Sequence, residues 1–472
     1  MISPKSLWAA CSKRAFARVD IASLVFFRIT FGLLMVWEVL RHSRQWVAAC
    51  WIEPHFLFKY YGFEWVRPLP ENGLCLLWFA LGLCAFLLTI GFFYRAAAAL
   101  FFLGYTYFFL LDQARYINHF YLICLFSFLL IFVPSNGAFS IDAWLKSQLR
   151  WQTVPAWSLW LLRAQIGVVY FFGGLAKIAP DWLRGEPMRT RMSHNTDFPL
   201  IGRFFREEWA VYAVSYGGLL LDLLIVPLLL WRRTRLAAFC LAAGFHLINA
   251  RAFSIGIFPW LAMAATTLFF RPDWPRRLMD TFRWVKAAPS PGIQDMRSSR
   301  QPSFILAFVI SYLVIQVIVP LRYLLSGTAT EWISIDHRFS WRMMLVNRQA
   351  RSYFYVTDPN TGRERQVIPQ QFLNARQSAM MAYQPDMPVQ FAHYLSATMP
   401  RSGLQPLRVE ARIMVSVNGR KPELFIDPNV DLAAEPRPCG HPRWLLPIGE
   451  PLPVLPQNPS GNLPASSRDE LP

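Results

Sequence analysis

Nine stretches of this chain are too apolar, over too great a length, to be the helices of a water-soluble core. They cover about residues 21–40, 72–94, 96–112, 117–134, 157–177, 209–231, 236–250, 253–270 and 303–325. A helix needs roughly 17–25 mostly apolar residues to cross a bilayer, and inside it the backbone must satisfy its own hydrogen bonds. The expected fold is therefore a mainly α membrane protein, a polytopic helical bundle of about nine spans. Eight is the alternative, because only Tyr94 and Arg95 part the second stretch from the third. Composition points the same way: charged residues make up 16% of the chain, against roughly 25% in soluble domains. Aromatic residues reach 16%, and Trp at span ends suits the membrane interface.

The net charge of +18 is read as topology. Loops after the even-numbered spans carry Arg95, then Lys146 and Arg150, then Arg232, Arg233 and Arg235, and last a run from Arg271 to Arg300. By the positive-inside bias these loops and the N-terminus are cytoplasmic. An odd number of spans then puts residues 326–472 outside. Residues 178–208 mix Arg184, Arg189 and Arg191 with Asp181, Glu186 and Glu208, which suggests a folded external loop. No basic arm or nucleic-acid-binding module appears, so nucleic acid is not an expected partner. The segment MISPKSLWAACSKRAFARVD lacks an apolar run and reads as a cytoplasmic lead-in. Seven cysteines include no CxxC pair, which leaves zinc and thioredoxin-like chemistry unsupported. Cys50 and Cys439 fall on the same side and could pair.

Beyond the last span the pattern changes. RSYFYVTDPNTGRERQVI and RVEARIMVSVNGRKPELFIDP alternate apolar and polar residues, and Asn418-Gly419 is a strong hairpin-turn signal. Three regions are expected: a transmembrane helical catalytic domain over 1–325, a β-rich extracytoplasmic domain over 326–447 with a helix near 370–398, and a flexible Pro-rich tail over 448–472.

Polar residues inside the apolar stretches are the candidates for chemistry. Lys177 ends the run LRAQIGVVYFFGGLAK. A desolvated lysine amine can serve as a general base, whereas a lysine at a span end can equally snorkel to the interface. Asn118 and His119 open the fourth span, as a proton-transfer pair or as a helix start with an interfacial histidine. His246 and Asn249 would face the bundle interior, to orient a polar head group or to tie helices together. Asp222 lies mid-span in YGGLLLDLLIVP and needs a partner, with Lys177, Arg163 or a histidine available. There is no Walker A loop, GxSxG, HExxH or dinucleotide fingerprint, and no metal site is expected. A polar cluster in an aromatic-rich bundle suits an apolar ligand with a small polar head, such as a quinone.

At these residues the sequence resembles the vitamin K-dependent γ-glutamyl carboxylase family, in a short form with an HTTM-type membrane domain. The resemblance is carried by DQARYINHFYLICLFSFLL, LLRAQIGVVYFFGGLAKIAPDWLRGEPM, YGGLLLDLLIVPLLL, FHLINARAFSIGIFPW and RPDWP, and after the spans by HRFSWRMML and VSVNGRKPELFIDPNVDL. It implies γ-carboxylation of protein glutamate, coupled to oxygenation of vitamin K hydroquinone to its epoxide with O2 and CO2. It assigns the base to Lys177 and the Asn-His pair to Asn118 and His119. The quinone pocket would include His246, Asn249, Tyr170 and Phe258, and glutamate would dock near Trp341, Arg342 and Met343. The implied partners are membrane lipid, a lipid-soluble quinone and a glutamate-bearing protein or peptide. Animal members carry a second lysine immediately before the base, where this chain has Ala176. Two other readings stand beside this one: a hydroquinone epoxidase without carboxylation, and a membrane transporter or scaffold.

Overall fold

In the computed structural model, the described residues are 4–282 apart from 200 and 254, 302–322 with 324, and 337–449 apart from 439 and 448. Cys439 and the Pro-rich tail beyond residue 449 lie outside them, so the Cys50–Cys439 pairing does too.

Each of the nine apolar stretches contains a helix. These are α1 (Ala22–Leu40), α2 (Glu71–Ile90), α3 (Tyr94–Leu111), α4 (Asn118–Phe132), α5 (Ala156–Ala176), α6 (Glu208–Leu230), α7 (Arg235–Ala252), α8 (Phe258–Thr266) and α9 (Pro302–Leu321). Six of them, α1, α2, α3, α5, α6 and α9, are long and apolar enough to cross a membrane. The other three are shorter or less apolar.

The soft boundary between α2 and α3 has a physical stop. Gly91 caps α2 with φ 64°, a left-handed conformation that glycine adopts without strain. A Cβ there would also lie 2.4 Å from the Ser140 Cβ. Asp142 then caps the start of α3 from the short helix Ile141–Leu145, its carboxylate accepting from the backbone N–H groups of Phe93 at 2.9 Å and Tyr94 at 3.0 Å. That carboxylate satisfies donors which the first turn of a helix leaves open.

One half of the bundle is filled with interlocked aromatics. Phe27 and Phe126 meet edge to face with centroids 5.1 Å apart, and Phe31 and Phe101 do the same at 6.3 Å, a favourable geometry for ring quadrupoles. Arg28 is fully buried here. It donates to the carbonyls of Ser135 at 2.6 Å, Ala138 at 3.3 Å and Phe139. The described residues between 178 and 208 include short helices at Pro180–Leu183 and Glu186–Ser193.

The C-terminal region holds a four-stranded antiparallel sheet in the order β2-β1-β3-β4, formed by β1 (Arg348–Thr357), β2 (Glu364–Val367), β3 (Arg408–Val417) and β4 (Glu423–Leu424). Alternation places Val409, Ala411, Ile413, Val415 and Val417 of β3 on the buried face. Two helices pack on that region, α10 (Ala375–Met381) and α11 (Asp386–Thr398), where the sequence pattern suggests one. At the turn after β3, Asn418 and Gly419 have φ of 51° and 79°, the two left-handed residues that a tight hairpin turn requires.

Candidate functional site

The site begins with two glycines. Gly173 and Gly174 end α5 against α6, and a Cβ on Gly174 would sit 2.8 Å from Leu223 side-chain atoms and 3.0 Å from the Leu223 backbone nitrogen. Only glycine allows that approach. The preceding residue of α6 is thereby tied to the end of α5: Lys177 Nζ lies 2.5 Å from Asp222 Oδ2 and donates to the Gly173 carbonyl at 3.2 Å. Both side chains are 8% exposed. Trp182 covers the ammonium with its ring centroid 5.2 Å away, and its indole N–H is anchored on the Ser215 carbonyl at 2.9 Å. The lysine turns inward to a carboxylate, where the sequence alone left snorkelling open.

Lys177 and Asp222 share the wall of a cavity of about 250 Å³. This is close to the lower end of the roughly 300–1,000 Å³ usual for small-molecule sites. Asn118 and His119 enter from α4, Tyr170 from α5, His246 and Asn249 from α7 and Phe258 from α8. Val169, Met188, Phe245 and Phe253 make the wall predominantly apolar. The Tyr170 hydroxyl and His246 Nε2 are 2.7 Å apart. His246 Nδ1 is buried and has no hydrogen-bond partner among the described residues. Asn118 does not cap its helix: Ile117 is the N-cap, and the Asn118 side-chain oxygen Oδ1 accepts from the Tyr116 hydroxyl at 3.0 Å.

Residues 337–345 form the remaining wall. Phe339, Trp341 and Met344 have φ of 61°, 57° and 59°, values that cost bulky residues on the order of 1–3 kcal/mol each. Packing holds them there. Trp341 is fully buried and stacks on Tyr121 with centroids 5.1 Å apart, while Phe339 meets Tyr116 at 5.2 Å. Arg342, Met343 and Met344 reach the cavity; Trp341 does not line it. Of the glutamate-docking candidates, then, two face the cavity and the third anchors the segment that carries them.

The C-terminal region is latched to the helix that follows Lys177. The Asp181 carboxylate accepts from Arg420 at 2.7 and 3.0 Å and from the Asn418 amide at 2.7 Å. The hairpin turn visible in the sequence thus also docks two regions. Neither Asp181 in this latch nor Met188 in the cavity wall carries a local signal for its role. Among the described residues no group of three or more His, Cys, Asp or Glu side chains could hold a metal ion.

Comparison with known proteins accords with this arrangement. Residues 16–274 match the family model for the HTTM domain, and residues 301–450 match that for the vitamin K-dependent gamma-carboxylase, lumenal domain. No solved structure matches the chain. With a membrane-domain model covering more than half of its length and the lumenal-domain model following it, this integral membrane protein belongs to the vitamin K-dependent γ-glutamyl carboxylase family.

Proposed function

We propose that the cavity is the active site for oxygenation of vitamin K hydroquinone coupled to γ-carboxylation of a glutamate side chain, with Lys177 as the base. One observation carries the reading. A buried lysine, held by Asp222 and the Gly173 carbonyl, shares a predominantly apolar cavity with Asn118, His119 and the Tyr170–His246 pair.

These residues fit the head group of such a quinone. The apolar walls suit its ring, His246 Nδ1 is a buried polar atom without a partner among the described residues, and the volume matches a head group better than an entire isoprenoid lipid. Reduced vitamin K supplies, once deprotonated and combined with O2, an oxygen base strong enough to remove a glutamate γ-proton, and CO2 then adds to that carbon. The protein's own tasks are narrower. Lys177 takes the hydroxyl proton, Asn118 and Tyr170–His246 fix the ring by its oxygens, and His119, which lines the same cavity, is available for a second proton. Phe245, Phe258, Met188 and Met343 exclude water, which would otherwise reprotonate the carbanion. The sheet-bearing region, expected outside the membrane, presents glutamate past Arg342 and Met343.

The reading without carboxylation has one observation in its favour: Trp341, a glutamate-docking candidate, is packed inside its segment and away from the cavity. Purified protein in lipid nanodiscs, given reduced vitamin K, O2, radiolabelled bicarbonate and a glutamate peptide, separates the two. Epoxide together with labelled peptide is expected. Epoxide alone would leave the epoxidase reading, and neither product from folded protein would end both.

A further inference from the structure

The Lys177–Asp222 pair raises a question that a lone basic lysine does not. At 2.5 Å the two groups are in direct contact, and in its ionised form the pair offers no free amine to receive a proton from a ligand. We propose that the base is the pair, in which Lys177 relays the proton and Asp222 stores it. The inference rests on the cavity being a quinol site.

The step balances without an oxidant. The quinol O–H bond breaks as an N–H bond forms on Lys177, and a proton already on Nζ passes to Asp222 Oδ2. No electrons are transferred. The pair goes from neutral to a charge of one positive unit, and the ligand oxygen gains one negative unit. Lys177 therefore remains an ammonium facing the oxygen that has lost its proton, which stabilises that charge where water is scarce. A lysine acting alone from its neutral form would leave the carboxylate in contact with it no part in the proton transfer.

The geometry is built for two-way contact. Asp222 and Lys177 both line the cavity. Nζ also donates to the Gly173 carbonyl at 3.2 Å, a contact that favours keeping the ammonium beside the carboxylate. Gly174 fixes the α5–α6 distance that sets the pair. In this step Asp222 takes the quinol's proton by way of Lys177, and it is in that sense a positioning residue. The other titratable or charged groups around the pair are Tyr170 from α5, His246 from α7, His119 from α4 and Arg342 from the C-terminal segment.

Asp222→Asn separates proton storage from placement, because the amide keeps the shape and an acceptor oxygen but cannot take a proton. The expected result is a loss of epoxide formation at neutral pH of about 10²–10⁴-fold. That loss should recede about tenfold per pH unit as the unpaired lysine deprotonates, with binding of oxidised naphthoquinone, read by tryptophan quenching, unchanged. Asp222→Glu keeps an acid and should retain turnover with a pH profile like that of the wild type. Infrared difference spectra on adding an acidic naphthol should show a new protonated-carboxyl band, absent from Asp222→Asn. Wild-type rate and pH profile in Asp222→Asn would overturn the proposal, as would an Asp222→Glu protein that binds quinone but cannot turn over. If Asp222→Asn does not fold, the glutamate variant and the wild-type infrared band decide. Wild-type protein that forms no epoxide would instead end the reading of the site, and the infrared band would still report on the pair.

Discussion

Arg28 and Lys177 are both cations buried in one helical bundle, and their surroundings differ in kind. Arg28 ends on the carbonyls of Ser135, Ala138 and Phe139, with packed aromatics around its helix. Lys177 ends on one carboxylate and one carbonyl, beside a cavity. Backbone carbonyls cannot take a proton, so the arginine site has one state and serves to close a loop. The lysine site has a titratable partner and room for a ligand, so it has more than one state. Arg163 follows the arginine pattern, donating to the carbonyls of Leu268 at 2.7 Å and Phe270 at 3.0 Å. The rule is that the partner, more than the burial, marks a charge in a membrane bundle as chemical or structural.

The largest expected break of this comparison is Arg28→Met. It leaves three carbonyls without their donor, at roughly 1 kcal/mol each or more, so about 3 kcal/mol of stability should be lost. Thermal unfolding in detergent measures this, and the fraction that stays folded should turn over normally. A stable but inactive Arg28→Met protein would erase the distinction. Gly174→Ala comes next. Its Cβ would press on Leu223, and overpacking of this kind costs about 1–3 kcal/mol. Because α6 must move, taking Asp222 with it, turnover should fall by more than the stability loss explains.

The smallest effect tests the rule on an anion. Asp112, just past the end of α3, accepts from the backbone N–H groups of Ala114 at 3.0 Å and Phe58 at 3.3 Å and from the Gln377 amide at 2.9 Å. Burial pushes its carboxyl up from 3.8 to about 6. The folded protein therefore binds this proton more tightly than the unfolded chain does. The stability it contributes is fully present below about pH 4 and is lost as pH rises through about 6. Asp112→Asn should flatten that part of the stability–pH curve, read by chemical denaturation, while the pH profile of turnover stays that of the wild type.

Much of this was legible in the sequence because it is local. Hydrophobic run length gave the nine helices, alternation in residues 408–417 gave β3, and Asn418-Gly419 gave its turn. Lys177, His119 and His246 stood out because a polar residue among apolar ones is conspicuous without knowing its neighbours. The partners were not legible to the same degree. Lys177 was one of several candidate partners for Asp222, 45 residues away, and only the Gly173-Gly174 approach selects it. The latch of Asp181 to Arg420 spans 239 residues and leaves no periodic trace. Trp341 reads from sequence like its neighbours Arg342 and Met343. Three left-handed backbone conformations, invisible in residue type, turn it onto Tyr121 instead.

The central claim is that Lys177 removes the quinol proton. Its most direct test is single-turnover epoxide formation by Lys177→Met beside wild type, in the same nanodiscs, at equal quinone occupancy and normalised to folded protein. A loss of at least ~10²-fold is the predicted result. Epoxide formed at the wild-type rate would contradict it.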